Sequence, residues 1–224
     1  MSLNVYKESI MSNNSRKKPE IVLTEDTPYM VSGLEHFYNS RGERLPTKKV
    51  MSLCRCGLSK KKPFCDGAHN ENGLDCKKKP GRVKDRVVDY KGKDITIHDN
   101  RGVCSHDQSC VNNLPSVFQR GKQRWIHPDN ASVKDIVTTI EKCPSGALSY
   151  SIGKMKCTEI EREPAIRIAK NGPLEITGGI ILNDDMDSKP QSPEHYTLCR
   201  CGGSKNSPFC DGTHLENGFE DNEN

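Results

Sequence analysis

The sequence predicts an α+β protein in which two small β-rich modules flank an inserted α+β domain. Three observations lead to this prediction. A stretch of sixteen residues occurs twice, 145 positions apart. Hydrophobic residues make up only 33% and aromatic residues only 5% of the 224 residues, which is too little for one large core. The segment between the two copies lies outside the repeat and has strand and helix patterns of its own.

The duplication is longer than the sixteen-residue stretch. A hairpin pattern in 19–33, with two apolar runs around a polar turn, matches 164–178 at the same offset of 145 without a gap. We therefore expect each module to contain a strand pair, a last strand and then the repeated loop. The predicted segments are a flexible leader (1–18), repeat 1 (19–80), the middle domain (86–155) and repeat 2 (160–220).

Each copy of the repeated stretch contains three cysteines and one histidine. Both copies read Cys-x-Cys, eight residues, Cys, three residues, His. Soft sulfur ligands select zinc, copper(I) or iron–sulfur clusters. Zinc pairs usually have two to four residues between the cysteines, so Cys-x-Cys suits a wider cluster better, although the spacing alone leaves both open. The candidate ligands are Cys54, Cys56, Cys65 and His69 in the first loop, and Cys199, Cys201, Cys210 and His214 in the second loop.

The residues between these candidate ligands resemble the pattern of a known family. Pro63–His69 reads PFCDGAH and Pro208–His214 reads PFCDGTH. Both copies match the pattern C-x-C-x2-[ST]-x3-P-x-C-D-G-[SAT]-H and so resemble the CDGSH iron–sulfur (NEET) family. The resemblance implies a [2Fe–2S] cluster in each loop, held by its three cysteines and one histidine. Because modules of this family pair about a two-fold axis, it also implies an intramolecular pseudo-dimer, with a homodimer of the whole chain as the alternative.

Asp and Gly follow the third cysteine in both loops. We expect Asp66 and Asp211 to accept local backbone hydrogen bonds that shape the turn before the histidine. Gly67 and Gly212 are expected to supply the backbone freedom that this turn needs.

The middle domain contains a second cysteine pattern. Cys104-x2-Asp107-x2-Cys110 is followed by Cys143 and a proline, with a helix predicted at Val133–Lys142 behind an N-cap at Ser132. Residues from about 89 to 152 resemble a divergent single-cluster ferredoxin domain. The resemblance implies a [3Fe–4S] cluster held by the three cysteines, or a [4Fe–4S] cluster if Asp107 adds an oxygen ligand. His106 competes for that position, and three buried cysteines without a cluster are the alternative.

These features predict an electron-transfer protein and not an enzyme. The sequence has no recognisable Ser/His/Asp set, phosphate-binding glycine loop or dinucleotide fingerprint. The alternatives are cluster storage or transfer, redox or pH sensing, and a zinc-stapled interaction protein. The expected partner is a redox protein or an apo-acceptor protein.

Composition and charge indicate which partners and which cellular location to expect. The net charge is +4, and the lysine run 77–79 has no interleaved aromatic side chains, so we expect no nucleic-acid partner. No apolar run approaches the roughly 20 residues of a membrane span, so we expect no membrane association. Eleven cysteines without a secretory signal indicate a reducing, cytoplasmic location. Cys76 and Cys157 belong to neither pattern and are expected to be free thiols.

Overall fold

A computed structural model of the chain describes residues 18–74, 77–156, 160–186, 188–222 and 224. The predicted leader apart from Lys18 lies outside the described residues, as do Cys76 and Cys157. The described part is rich in short strands and has few helices, consistent with the predicted α+β class. None of the helices in these ranges has the length and apolar character that a membrane crossing requires.

The two repeats have the same order of strands. Repeat 1 contains β1 (Glu20–Leu23), β2 (Tyr29–Ser32), β3 (His36–Tyr38) and β4 (Val50–Leu53), followed by the short helix α1 (Ala68–Asn72). Repeat 2 contains β9 (Ala165–Ile168), β10 (Leu174–Thr177), β11 (Ile181–Asp184) and β12 (Tyr196–Leu198). The predicted hairpins and the predicted last strands are confirmed at both places.

Each repeat contributes one strand to the sheet of the other. The first sheet has the order β11-β1-β2-β4, and the second has the order β12-β10-β9-β3. β11 pairs in parallel with β1 through Glu20 and Ile181, whereas β3 pairs in parallel with β9 through Ala165 and His36. The two registers are related by the offset of 145 that relates the sequences.

Alternating apolar residues fill the core of these sheets. In β1 and β9 every second side chain is fully or almost fully buried, which is the period of a strand with one covered face. The same holds in β2 and β10. The buried side chains of these four strands are Ile21, Leu23, Tyr29, Val31, Ile166, Ile168, Leu174 and Ile176.

The middle domain is an antiparallel sheet with helices beside it. Its elements are β5 (Val87–Lys91), β6 (Thr96–Asn100), α2 (Ser109–Asn113), α3 (Val133–Ile140), β7 (Leu148–Ile152) and β8 (Met155–Lys156), and the strand order is β5-β6-β7-β8. The predicted N-cap is confirmed, since Ser132 Oγ accepts a hydrogen bond from the Asp135 amide. The helix ends two residues before its predicted end, because Lys142 and Cys143 donate to carbonyls three residues back and tighten the last turn.

The Cys-x-Cys segments of the two repeats touch each other. Gly57 and Gly202 have positive φ angles of 80° and 70°. A Cβ atom at Gly57 would lie 2.8 Å from the carbonyl oxygen of Cys201, and a Cβ atom at Gly202 would lie 2.3 Å from that of Cys56. The reciprocal approach therefore requires glycine at both positions, for conformation and for space.

We expect Gly202→Ala to destabilise the protein more than Gly218→Ala. Gly218 has nearly the same φ of 69°, but nothing lies within 4 Å of its Cβ position. The two variants share the cost of a positive φ, and only Gly202→Ala adds a clash worth about 1–3 kcal/mol. Urea unfolding of both variants measures the difference. Equal losses in the free energy of unfolding would show that the close approach of the two loops is absent in solution.

Candidate metal centres

Each candidate loop begins where a core strand ends. Cys54 follows β4, and its amide donates to the carbonyl of Pro63 at 2.8 Å. The amide of Cys65 returns to the carbonyl of Ser52 at 2.8 Å, so the third cysteine of the loop is held beside the first. The equivalent hydrogen bonds of the second loop join Cys199 to Pro208 at 2.8 Å and Cys210 to Thr197 at 3.1 Å.

An aspartate closes the turn before each histidine. Asp66 accepts hydrogen bonds from the amides of Lys60 (2.8 Å) and Ala68 (3.1 Å), which hold the pKa of this carboxyl below its usual value. Asp211 accepts the equivalent bonds from the amides of Lys205 and Thr213. Gly67 and Gly212 have φ angles of 91° and 86°. The predicted roles of both residue types are confirmed.

The four candidate ligands of each loop are arranged as two pairs. In the first loop the Sγ atoms of Cys54 and Cys56 are 3.8 Å apart, and Cys65 Sγ lies 3.3 Å from Nδ1 of His69. The corresponding distances in the second loop are 3.6 Å and 3.4 Å, between Cys199 and Cys201 and between Cys210 and His214.

These distances fit ligands that share a metal two by two. Two sulfurs at about 2.3 Å from one tetrahedral metal lie about 3.7 Å apart, and a sulfur–nitrogen pair lies slightly closer. Two such pairs would suit a two-iron cluster, which the three cysteines and the histidine of each loop would hold. Among the described residues, no group of three or more His, Cys, Asp or Glu side chains converges on the position of a single ion.

The two thiols of each Cys-x-Cys pair are close enough to form a hydrogen bond with each other. In each Cys-x-Cys pair the hydrogen bond between the sulfurs lowers the pKa of one thiol, that of Cys54 or Cys201, to about 6. Burial raises the pKa of Cys210. Because a metal binds the thiolate, filling the site displaces the remaining protons.

The cysteines of the middle domain line a cavity of about 190 Å³. Cys104 follows a 3-10 turn at Arg101–Val103, and Arg101 Nη1 donates to its sulfur at 3.5 Å. Cys110 lies in α2 and Cys143 follows α3. Burial raises the pKa of the Cys104 thiol to about 11 and that of the Cys110 thiol to about 12. The three cysteines therefore line one cavity, and their thiols are the donors that a cluster would need.

Both candidates for a fourth ligand reach this cavity. Asp107 lines it and accepts a hydrogen bond from Ser109 Oγ at 3.1 Å, and partial desolvation by the surrounding protein raises the pKa of its carboxyl. His106 lines it as well, but its ring also lies against repeat 2, where a Cβ atom at Gly212 would be 2.6 Å from its Cδ2 atom. The structure thus brings both side chains to the site.

One polar group was missed by sequence reasoning, which found no Ser/His/Asp set. His98 Nδ1 lies 2.7 Å from Asp89 Oδ1, and its Nε2 lies 3.0 Å from Ser151 Oγ. The residues belong to β5, β6 and β7, so only the sheet register brings them together. Asp89 and His98 are direct cross-strand partners, and such pairs stabilise sheets by themselves.

Comparisons with known proteins place these sites in a family. Residues 26–70 and 171–215 match the family described as "Iron-binding zinc finger CDGSH type", and residues 90–153 match "Divergent 4Fe-4S mono-cluster". The chain is 38% identical to the uncharacterized protein YjdI of Escherichia coli K12 over 61 residues, which are 27% of this chain and 80% of YjdI. YjdI of E. coli O157:H7 gives the same values. No solved structure matches the chain. The protein belongs to the CDGSH iron–sulfur family and carries a divergent 4Fe-4S mono-cluster domain between its two CDGSH domains.

Proposed function

We propose that this iron–sulfur protein carries single electrons. The observation that supports the proposal most directly is the two-by-two arrangement of ligands, found in both loops at distances that suit a shared iron. When bound, the clusters supply one-electron redox chemistry, and the protein binds, shields and tunes them. A [2Fe–2S] cluster is proposed in each loop, and a [3Fe–4S] or [4Fe–4S] cluster is proposed with Cys104, Cys110 and Cys143.

The histidines set the working range of the two loops. A neutral imidazole in place of a thiolate removes one negative charge from the iron, which raises the reduction potential above that of an all-cysteine site. His69 and His214 present Nδ1 to the neighbouring cysteine in both loops. Both centres should therefore accept electrons from carriers of lower potential.

The two CDGSH domains are proposed to form an intramolecular pseudo-dimer. The exchange of β3 and β11 between the sheets supports it, as do the two registers related by one offset. A cross-repeat hydrogen bond from the Tyr29 hydroxyl to the carbonyl of Cys199, at 2.8 Å, adds to this support. The homodimer of the whole chain becomes unnecessary, since each chain already supplies both halves.

A cluster donor is the second candidate function. The first loop favours it, because its Cys65 is only partly buried, whereas the equivalent Cys210 is buried. A donor loses its cluster rapidly when mixed with an apo-acceptor protein, whereas a carrier keeps the cluster and is reduced reversibly. The proposed external partner is accordingly a one-electron donor or acceptor protein.

Iron and sulfide per chain, measured on anaerobically prepared protein, test the proposal together with paramagnetic resonance of the reduced form. We expect a red-brown protein with two [2Fe–2S] signals and a third centre. A colourless protein that contains zinc would replace electron transfer with a structural role.

We expect His214→Cys to lower the potential of the second centre and to slow its loss in acid. The added thiolate brings a negative charge, whereas the imidazole competes with protons as the pH falls through the range near neutrality. His69→Cys is the matched variant and should change only the first centre. Redox titration and visible absorbance during acidification measure both effects. An acid profile that His214→Cys leaves unchanged would remove His214 from the ligand set.

We expect Asp107→Cys to give a stable four-iron cluster in the middle domain. The variant restores the regular C-x2-C-x2-C spacing of a ferredoxin at a side chain that already lines the cavity. Iron content and the paramagnetic resonance signal of the middle centre measure the change, and Asp107→Ala serves as control. The same iron content and signal in wild type and Asp107→Cys would place the open position elsewhere.

A further inference from the structure

The middle domain packs against repeat 2 and forms hydrogen bonds with it. Nδ2 of Asn206, in the second loop, donates to the carbonyl of Gly102 at 2.7 Å. Asn206 is 1% exposed, whereas the equivalent residue of repeat 1, Lys61, is exposed. Further hydrogen bonds across this interface run from Asn100 Nδ2 to Gln191 Oε1 (2.8 Å) and from Arg162 Nη2 to the carbonyl of Glu141 (3.0 Å).

This docking covers the second loop and leaves the first more open. Cys210 is buried, whereas its counterpart Cys65 is only partly buried. A Cβ atom at Gly212 would meet the His106 ring at 2.6 Å, whereas one at Gly67 would meet only the side chain of Asn70, at 3.8 Å. Two loops with the same ligands therefore have different neighbours.

His106 lies between the middle cavity and the second loop. It is two residues from Cys104 and lines the cavity. Its ring lies against Gly212, which is two residues from Cys210 and two residues from His214. Electron tunnelling falls off exponentially with distance and is slower across empty space than through bonded or touching atoms. The His106 ring supplies touching atoms between the two sites.

The second loop in turn touches the first loop. The contacts are those of Gly57 with the carbonyl of Cys201 and of Gly202 with the carbonyl of Cys56. An unbroken series of covalent bonds and van der Waals contacts thus runs from the middle cavity to the second loop, and from there to the first loop.

We propose that the three sites form a linear relay in which the second loop is the intermediate and His106 is the connecting residue. The inference rests on the proposed electron-carrier function. Cys104, Cys110 and Cys143 would hold the group that gives up one electron, and Cys199, Cys201, Cys210 and His214 would hold the group that takes it up, without a bond being formed or broken. An external one-electron reductant supplies the electron at the middle cavity, and a one-electron acceptor protein removes it at the more open first loop.

Paramagnetic resonance of the full chain tests the order of the sites. Cys65→Ser removes the first [2Fe–2S] centre and Cys210→Ser removes the second, and each variant is fully reduced with dithionite. We expect magnetic coupling between the middle centre and a [2Fe–2S] centre to survive in Cys65→Ser and to disappear in Cys210→Ser. Coupling that is lost in Cys65→Ser but kept in Cys210→Ser would overturn the order.

The role of His106 is tested by the rate of internal electron transfer after pulsed photoreduction, with all clusters in place. His106→Ala should slow transfer to the second loop several-fold, by more than any change in the two potentials, measured by redox titration of the same variant, accounts for. The control is His127→Ala, because this ring bonds to the carbonyl of Arg124 within its own domain. Asn206→Ala should also slow transfer, whereas its repeat-1 counterpart Lys61→Ala should not.

The outcomes separate this inference from the proposed function. An absence of reversible clusters in the wild type would overturn both. Reversible clusters with unchanged transfer rates in His106→Ala would overturn the relay alone. A changed iron content or spectrum of the middle centre in His106→Ala would make His106 a ligand and overturn its connecting role.

Discussion

The parallel pairing of β1 with β11 and of β9 with β3 is the constraint on which the rest of the structure depends. Without it each repeat would be a three-stranded sheet with an open edge and few apolar residues, which is marginal by itself. The exchange adds a fourth strand to each sheet and joins the two repeats through backbone hydrogen bonds. Because each candidate loop follows the last strand of its own sheet, the same exchange brings the two Cys-x-Cys-Gly segments into contact.

Two loops of nearly identical sequence thereby acquire different surroundings. The middle domain packs on repeat 2, covers Cys210 and Gly212, and leaves the equivalent part of the first loop partly open. Solvent access and local dielectric tune the redox potential of a metal centre in addition to its ligands. Duplication followed by one-sided docking is therefore enough to give two centres with the same ligands different properties. The covered loop suits retention of its centre, and the open loop suits exchange with a partner.

The sequence predicted the local parts well and the long-range parts poorly. The hairpins, the Ser132 cap and the Asp66 turn follow from patterns within a few residues, and all three are present in the structure. The spacing of the candidate ligands is also a local pattern, whereas metal binding by these residues stays a prediction. β3 and β11 are three and four residues long, and their partners lie in the other repeat, so no local pattern marks them. The middle domain docks on repeat 2 through contacts that include the hydrogen bond from Asn206 to Gly102. From the sequence alone, the replacement of Lys61 by Asn206 between the repeats does not indicate such a contact.

The arginine within each Cys-x-Cys pair adds an electrostatic asymmetry to this scheme. Arg200 is buried in an ion pair with Asp221 and also donates to two carbonyls of its own hairpin. Arg55 is equally buried, but the partners of its guanidinium are neutral oxygens of Thr24, Thr27 and Ser207. A buried positive charge favours the reduced, more negative state of a nearby centre, and a paired carboxylate cancels that effect. Arg55 has no carboxylate partner among the described residues, and its guanidinium reaches across to Ser207 of the second loop, so the uncancelled charge lies between the two loops and acts on both.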